Sequence, residues 1–284
     1  MKKLVFLFFT LLTLYSCEKP YVGEDDMTSE QQGNLMVSVF QLEQTPFSAI
    51  SRAPATETCT RLNFAVYQLD GTRVKQTNQQ LSDAGFGATS FTLEAGTYQL
   101  VVVAHSSNGN PTMTNPAKIQ FTNAQGFSDT FLYCDEVTIS NDPVSLSLTL
   151  NRIVSLCRFV ITDDYPEDVA KMRFTYTGGS GTFDAATGFG SVKSTQTLTF
   201  DIASNQKQFD LYSFPYASTE CTIHLKTDAL DAAENILFER EFDIPLTRNK
   251  ITWFSGTYFI GGSESADVSV DINNAWEDEI HLTY

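Results

Sequence analysis

Apolar and polar residues alternate along most of this chain with the period of a β-strand. The clearest stretch is Val144-Ser145-Leu146-Ser147-Leu148-Thr149-Leu150, where every second side chain is aliphatic and those between carry hydroxyls. A period of two sends successive side chains to opposite faces of a sheet. Leu146, Leu148 and Leu150 are therefore expected on a buried face, with Ser145, Ser147 and Thr149 on the other. Leu62 to Leu69 alternates in part and runs into Asp70-Gly71, a hairpin signal. Leu35, Val37 and Val39 alternate within Asn34 to Phe40, which predicts an edge strand. Further strands are predicted at Phe91 to Leu93, Tyr98 to Ala104, Ile153 to Thr162, Phe174 to Thr177, Leu198 to Ile202, Phe209 to Phe214, Cys221 to Lys226, Ile236 to Phe242, Ile251 to Phe259 and Val268 to Ile272. Turn residues separate nearly all of them. Asp163 to Val169 reads as a turn able to start a single helical turn, and no segment has the 3.6-residue period of a long amphipathic helix. Many short strands at regular spacing predict an all-β protein of sandwich type. The strict alternation stops at Leu150, Asn151-Arg152 interrupts, and a second series of strands begins. This predicts two sandwiches in tandem, residues 34–151 and 152–284, each of ordinary domain size.

The N-terminus follows other rules. Met1-Lys2-Lys3 precedes the apolar run from Leu4 to Leu14, the pattern of a secretory signal. The run falls short of the roughly 20 residues a membrane span needs. Leu14-Tyr15-Ser16-Cys17 resembles the bacterial lipobox, with Tyr15 departing from the usual small residue. Residues 1–16 then read as a lipoprotein signal peptide, and Cys17 as the thiol that takes the lipid. Residues 17–33 read as an acidic tether around Glu24-Asp25-Asp26, loosely similar to acidic tags that carry Bacteroidales lipoproteins to the cell surface. The expected location is the outer membrane, held by lipid at Cys17 and not crossing the bilayer.

Charge narrows the partners. A net charge of −16 repels nucleic acid and anionic headgroups, and losing Lys2 and Lys3 deepens it. Cys59, Cys134, Cys157 and Cys221 remain beyond the signal. Cys59–Cys134 and Cys157–Cys221 are the pairings within each half. Against a disulfide, Cys157 alternates with Phe159 and Ile161, and Cys221 with Ile223 and Leu225, as small packed hydrophobes would. The three histidines, His105, His224 and His281, have no second ligand at metal spacing. Gly178-Gly179-Ser180-Gly181 lacks the lysine and the helix of a phosphate loop and reads as a hairpin loop. Asp163-Asp164 and Glu277-Asp278-Glu279 read as solvated loop carboxylates. No catalytic, metal or cofactor constellation emerges, so a non-enzyme is expected.

Several segments resemble the minor fimbrial lipoproteins of Bacteroidales, the anchor family of type V pili: Phe91 to His105, Val144 to Thr149, and Leu150 to Phe159, in that order behind the lipobox. The resemblance implies two transthyretin-like β-sandwich domains, fimbrial subunits as partners, and an anchoring or assembling role by strand complementation. It also draws attention to Arg52, where a basic-site cleavage would remove the first strand. An anchor would lose its lipid by such a cut, so Arg52 is expected to stay intact. The alternative is a surface glycan-binding lipoprotein of a nutrient-uptake system, with Trp253, Trp276, Tyr133 and Tyr216 as candidate stacking residues.

Overall fold

The computed structural model describes residues 33–43, 52–53, 59–122, 126–202, 206–260 and 279–283. Cys17, the signal and tether, Trp276 and the strand expected at Val268 to Ile272 lie outside them. Among the described residues there are strands and turns and no helix. The first nine strands are β1 (Leu35–Glu43), β2 (Arg52–Ala53), β3 (Arg61–Gln68), β4 (Arg73–Gln80), β5 (Ala88–Phe91), β6 (Gly96–His105), β7 (Ile119–Gln120), β8 (Thr130–Ile139) and β9 (Val144–Arg152). Nine more follow: β10 (Ser155–Ile161), β11 (Lys171–Thr177), β12 (Thr182–Phe183), β13 (Gln196–Asp201), β14 (Gln208–Ser213), β15 (Glu220–Leu230), β16 (Ile236–Thr247), β17 (Ile251–Gly256) and β18 (Glu279–Thr283).

In the first set, β2 and β5 share one side of β1, and β9 runs parallel on its other side. β1 is thus an interior strand, not the predicted edge. Its register against β9 jumps between Val39 and Gln41. The extra residue, Phe40, is left 64% exposed, while Leu35, Val37, Val39 and Leu42 stay buried on either side of the bulge. β9 meets β8 through two residue pairs only, Phe131–Arg152 and Leu132–Asn151. The sheet folds over at that corner, so that β5/β2, β1 and β9 face β8, β6, β3 and β4. The core between them joins Leu35, Val37, Leu148 and Leu150 to Phe64, Val66, Leu100 and Val102.

The second set forms two four-stranded sheets, β14-β10-β17-β18 and β13-β11-β15-β16. Phe159, Phe174, Phe209, Leu225, Ile244 and Tyr258 fill the space between them. The Asp163 segment makes a Pro166–Val169 turn rather than a helical one.

The two sets share a third core. Ala65, Tyr67, Val101 and Val103 point away from the first core and pack with Phe121 and Phe127, and with Phe183, Phe214 and Ile251 of the second set. β7 and β12 pair across the same boundary. At the junction Arg152 is buried; its guanidinium donates two parallel bonds to Asp129 at 2.8 Å each and a third to Asn249 Oδ1 at 3.1 Å. Such a fork-on-carboxylate geometry compensates the buried charge and fixes how β9 hands over to β10.

Candidate binding cleft

Between β6 and β8 the chain leaves the sheet and returns over the third core. His105 ends β6 inside the protein, and its neighbours fix its tautomer. The Ser107 N–H donates to Nδ1 at 3.0 Å, so Nε2 carries the proton and donates to Asn63 Oδ1 at 2.8 Å. Asn63 in turn donates to Asn78 Oδ1 and Asn110 Oδ1, at 2.8 and 3.0 Å. Burial, reinforced by the Arg61 charge, pushes His105 down to about 3, so it is neutral at any ordinary pH. Ser107 is tied to Ser128 by bonds in both directions. The loop from Ser106 to Asn110 is therefore held from beneath by His105 and Asn63 and from the side by Ser128.

A cleft of about 430 Å³ opens where this loop and Ser128 face β13 and β14, the adjoining strands of the second sandwich. Asn108 and Thr199 are exposed at its rim. Phe200 and Tyr212 are half-buried there. Asp210 takes two parallel bonds from Arg158, at 2.7 and 2.8 Å. Burial raises the Tyr212 phenol, which remains protonated. A smaller hollow of about 220 Å³ shares Ser107, Asn108 and Gly126. Among the described residues no group of three metal-ligating side chains comes together.

The residues singled out in the sequence fall elsewhere. All four described cysteines are free thiols. Cys59 belongs to the first core and Cys134 packs on the third, on opposite faces of the same layer. Cys157 and Cys221 both face the core of the second sandwich. Burial pushes Cys59 up to about 12 and Cys134 up to about 11, so neither is a ready nucleophile. Arg52 lies in β2, its backbone paired with Glu43. His224 is exposed beside Asp243 at 2.9 Å. Tyr133, Tyr216 and Trp253 stand on three separate elements, Trp253 under the Arg158 guanidinium.

Two expectations about polar residues need correction. Asp163 is buried rather than solvated. Its carboxylate accepts the backbone N–H groups of Tyr258, Phe259 and Ile260 at 2.7, 2.6 and 2.8 Å. Burial opposes the charge, but these three donors outweigh it and lower the Asp163 pKa. The Gly178–Gly181 run is not an open hairpin loop. A side chain at Gly179 would meet Ser213 Oγ at 1.8 Å, and Gly178 adopts φ +93° against the Thr222 carbonyl.

Residues 28–284 match the sequence profile of a family of unknown function, DUF6562. The chain belongs to this family. No curated protein sequence matches this DUF6562 member significantly. Its fold is similar to three solved structures from Bacteroidales. An adhesin candidate from Bacteroides ovatus is 16% identical, with a TM-score of 0.47 over 73% of this chain and 82% of that one. A fimbrial assembly protein from Parabacteroides distasonis is 13% identical, at 0.42 over 78% and 90%. The fimbrial anchor protein Mfa2 from Porphyromonas gingivalis is 13% identical, at 0.41 over 72% and 80%. Similarity at this level transfers neither partner nor ligand.

Proposed function

We infer that this DUF6562 chain is a lipid-anchored surface protein that serves as an anchor or minor structural subunit of a fimbria, without enzymatic activity. The reading draws on the lipobox at Cys17 and on the ordered segments that resemble fimbrial anchors. The observation that carries it is the position of β1. That strand is hydrogen-bonded on both sides, to β9 and to β2 and β5, and contributes Leu35, Val37 and Leu42 to the first core. The chain therefore fills its own first sandwich, and a cut at Arg52 would both strip an interior strand and release the domains from the lipid. Residues 34–151 and 152–284 serve as the two domains.

Pilin subunits add to a free sheet edge by strand complementation. β16 supplies such an edge, since among the described residues it pairs within its sheet with β15 alone. At its start Ile236, Leu237 and Phe238 are exposed, apolar side chains that an added strand would lie beside. N-terminal analysis of the surface-bound protein tests the reading. A lipid-blocked N-terminus at Cys17 is expected. A chain beginning at Ala53 would make the protein a polymerising pilin and end the anchor assignment.

A further inference from the structure

We propose that Asn108-Gly109 is a self-modifying site, at which the asparagine deamidates without an enzyme and so loosens the loop that carries it. The site is independent of any role in a fimbria. In the reaction the Gly109 backbone nitrogen attacks the side-chain carbonyl carbon of Asn108. A C–N bond forms, the attacking nitrogen gives up its proton, and the side-chain nitrogen leaves as ammonia. Water then opens the cyclic imide at either carbonyl. One opening gives aspartate; the other gives isoaspartate, whose backbone runs through the former side chain. Nothing is oxidised or reduced, and water is the co-reactant. The rate depends on how freely the nitrogen reaches the carbonyl, and so on the residue after the asparagine. Glycine obstructs least, since it has no Cβ and the widest choice of backbone angles.

Asn108-Gly109 is the single Asn-Gly pair of the sequence. Both residues are exposed, and no atom lies within 4 Å of the place a side chain on Gly109 would take. Other candidates fail on chemistry or structure. Asn110 and Asn115 precede Pro111 and Pro116, whose nitrogens carry no proton to lose. Asn63 is buried, its amide committed to Asn78 and Asn110. Asp70-Gly71 has the spacing for the corresponding reaction of an aspartate, but its groups are engaged. The Asp70 carboxylate accepts the Thr72 N–H at 2.8 Å, and the Gly71 N–H donates to the Gln68 carbonyl at 2.9 Å. Ser107 and Asn110, on either side of the Asn-Gly pair, are held in place. The Ser107 N–H donates to His105 Nδ1, and its hydroxyl is bonded to Ser128. Asn110 Oδ1 accepts from Asn63 at 3.0 Å and from Arg61 at 3.3 Å. Isoaspartate adds one backbone atom between these two held residues, so one of them must give up its partners. Either product also places a new negative charge at the rim of the cleft.

The test ages the purified, folded protein at physiological pH and temperature beside a synthetic peptide of residues 104–112. Peptide mapping by mass spectrometry, with fragmentation that separates aspartate from isoaspartate, follows each asparagine. Asn108 should convert before any other. Mildly alkaline buffer should speed the reaction, because the attacking nitrogen must lose its proton. Gly109→Ala, for which space is open, should slow conversion by about tenfold or more and leave the thermal midpoint in place. Hydrogen exchange at the Ser107 amide should quicken in the aged protein but not in Asn108→Asp, which has the charge without the extra backbone atom. Four results would overturn the proposal: Asn108 intact after the peptide has converted, another asparagine converting first, Gly109→Ala converting as fast, or Ser107 exchange unchanged once isoaspartate has formed.

Discussion

β6 and β9 are both hydrogen-bonded to β8, yet their surroundings differ. The outer face of β9 meets water: Ser145, Ser147 and Thr149 are exposed while Leu148 and Leu150 are buried. β6 meets protein on both faces, Leu100, Val102 and Ala104 in the first core and Val101 and Val103 in the third. β9 therefore alternates strictly, and β6 is apolar without a break from Leu100 to Ala104. A lost alternation marks the strand over which a second layer must close. Here that layer comes partly from the second sandwich.

The largest test of this difference places a charge on each outer face. Val103→Asp buries an unpaired carboxylate and should cost more than about 4 kcal/mol, enough to abolish folding. Phe214→Ala opens the third core from its far side and should cost about 3–5 kcal/mol in urea denaturation. It should also speed hydrogen exchange in β3 and β6, on the other half of the chain; exchange unchanged there would deny the shared core. The third test is pH. His105 is neutral when folded and pushed down to about 3, so the unfolded chain binds its proton first as pH falls. Stability should decline below about 6.5, by about 2 kcal/mol at pH 5, and His105→Gln should flatten that slope. Asp163→Asn should cost about 1.5 kcal/mol at neutral pH through loss of charge-assisted bonds to three amides. Because its folded pKa is lowered, that contribution is present above the usual carboxylate range and disappears in acid. Smallest of all, Ser147→Asp on the wet face of β9 should stay within about 0.5 kcal/mol.

The strand pattern was readable because burial on one face leaves a period of two; β9, β10, β11, β14 and β15 follow it. β4, Arg-Val-Lys-Gln-Thr-Asn-Gln-Gln, carries no such pattern because only Gln79 along it is buried. Its strand state comes from pairing with β3. Alternation in β1 reports its faces and is silent about its neighbours, so the interior position of the strand is not legible in it. Asp163 looked like one more loop carboxylate; nothing local distinguishes it from Asp164, and its three donors come from Tyr258 to Ile260 in the distant sequence. The cleft was equally invisible. Its walls come from the Ser106–Asn110 loop and from β13 and β14, segments that only the packing of the two sandwiches sets side by side.

The sequence by itself determined the class of structure, since alternation, turn residues and the absence of helical period leave only packed sheets. It also determined which side chains of each alternating strand share a face, because a pleated strand offers its side chains no third direction. Tertiary structure alone decided which cores those residues joined, where the sheet folded at Arg152, and which polar groups were left facing a cleft. Those outcomes depend on contacts between segments far apart in the chain. No local window encodes them, because the free energy that selects them arises only when both partners leave water together.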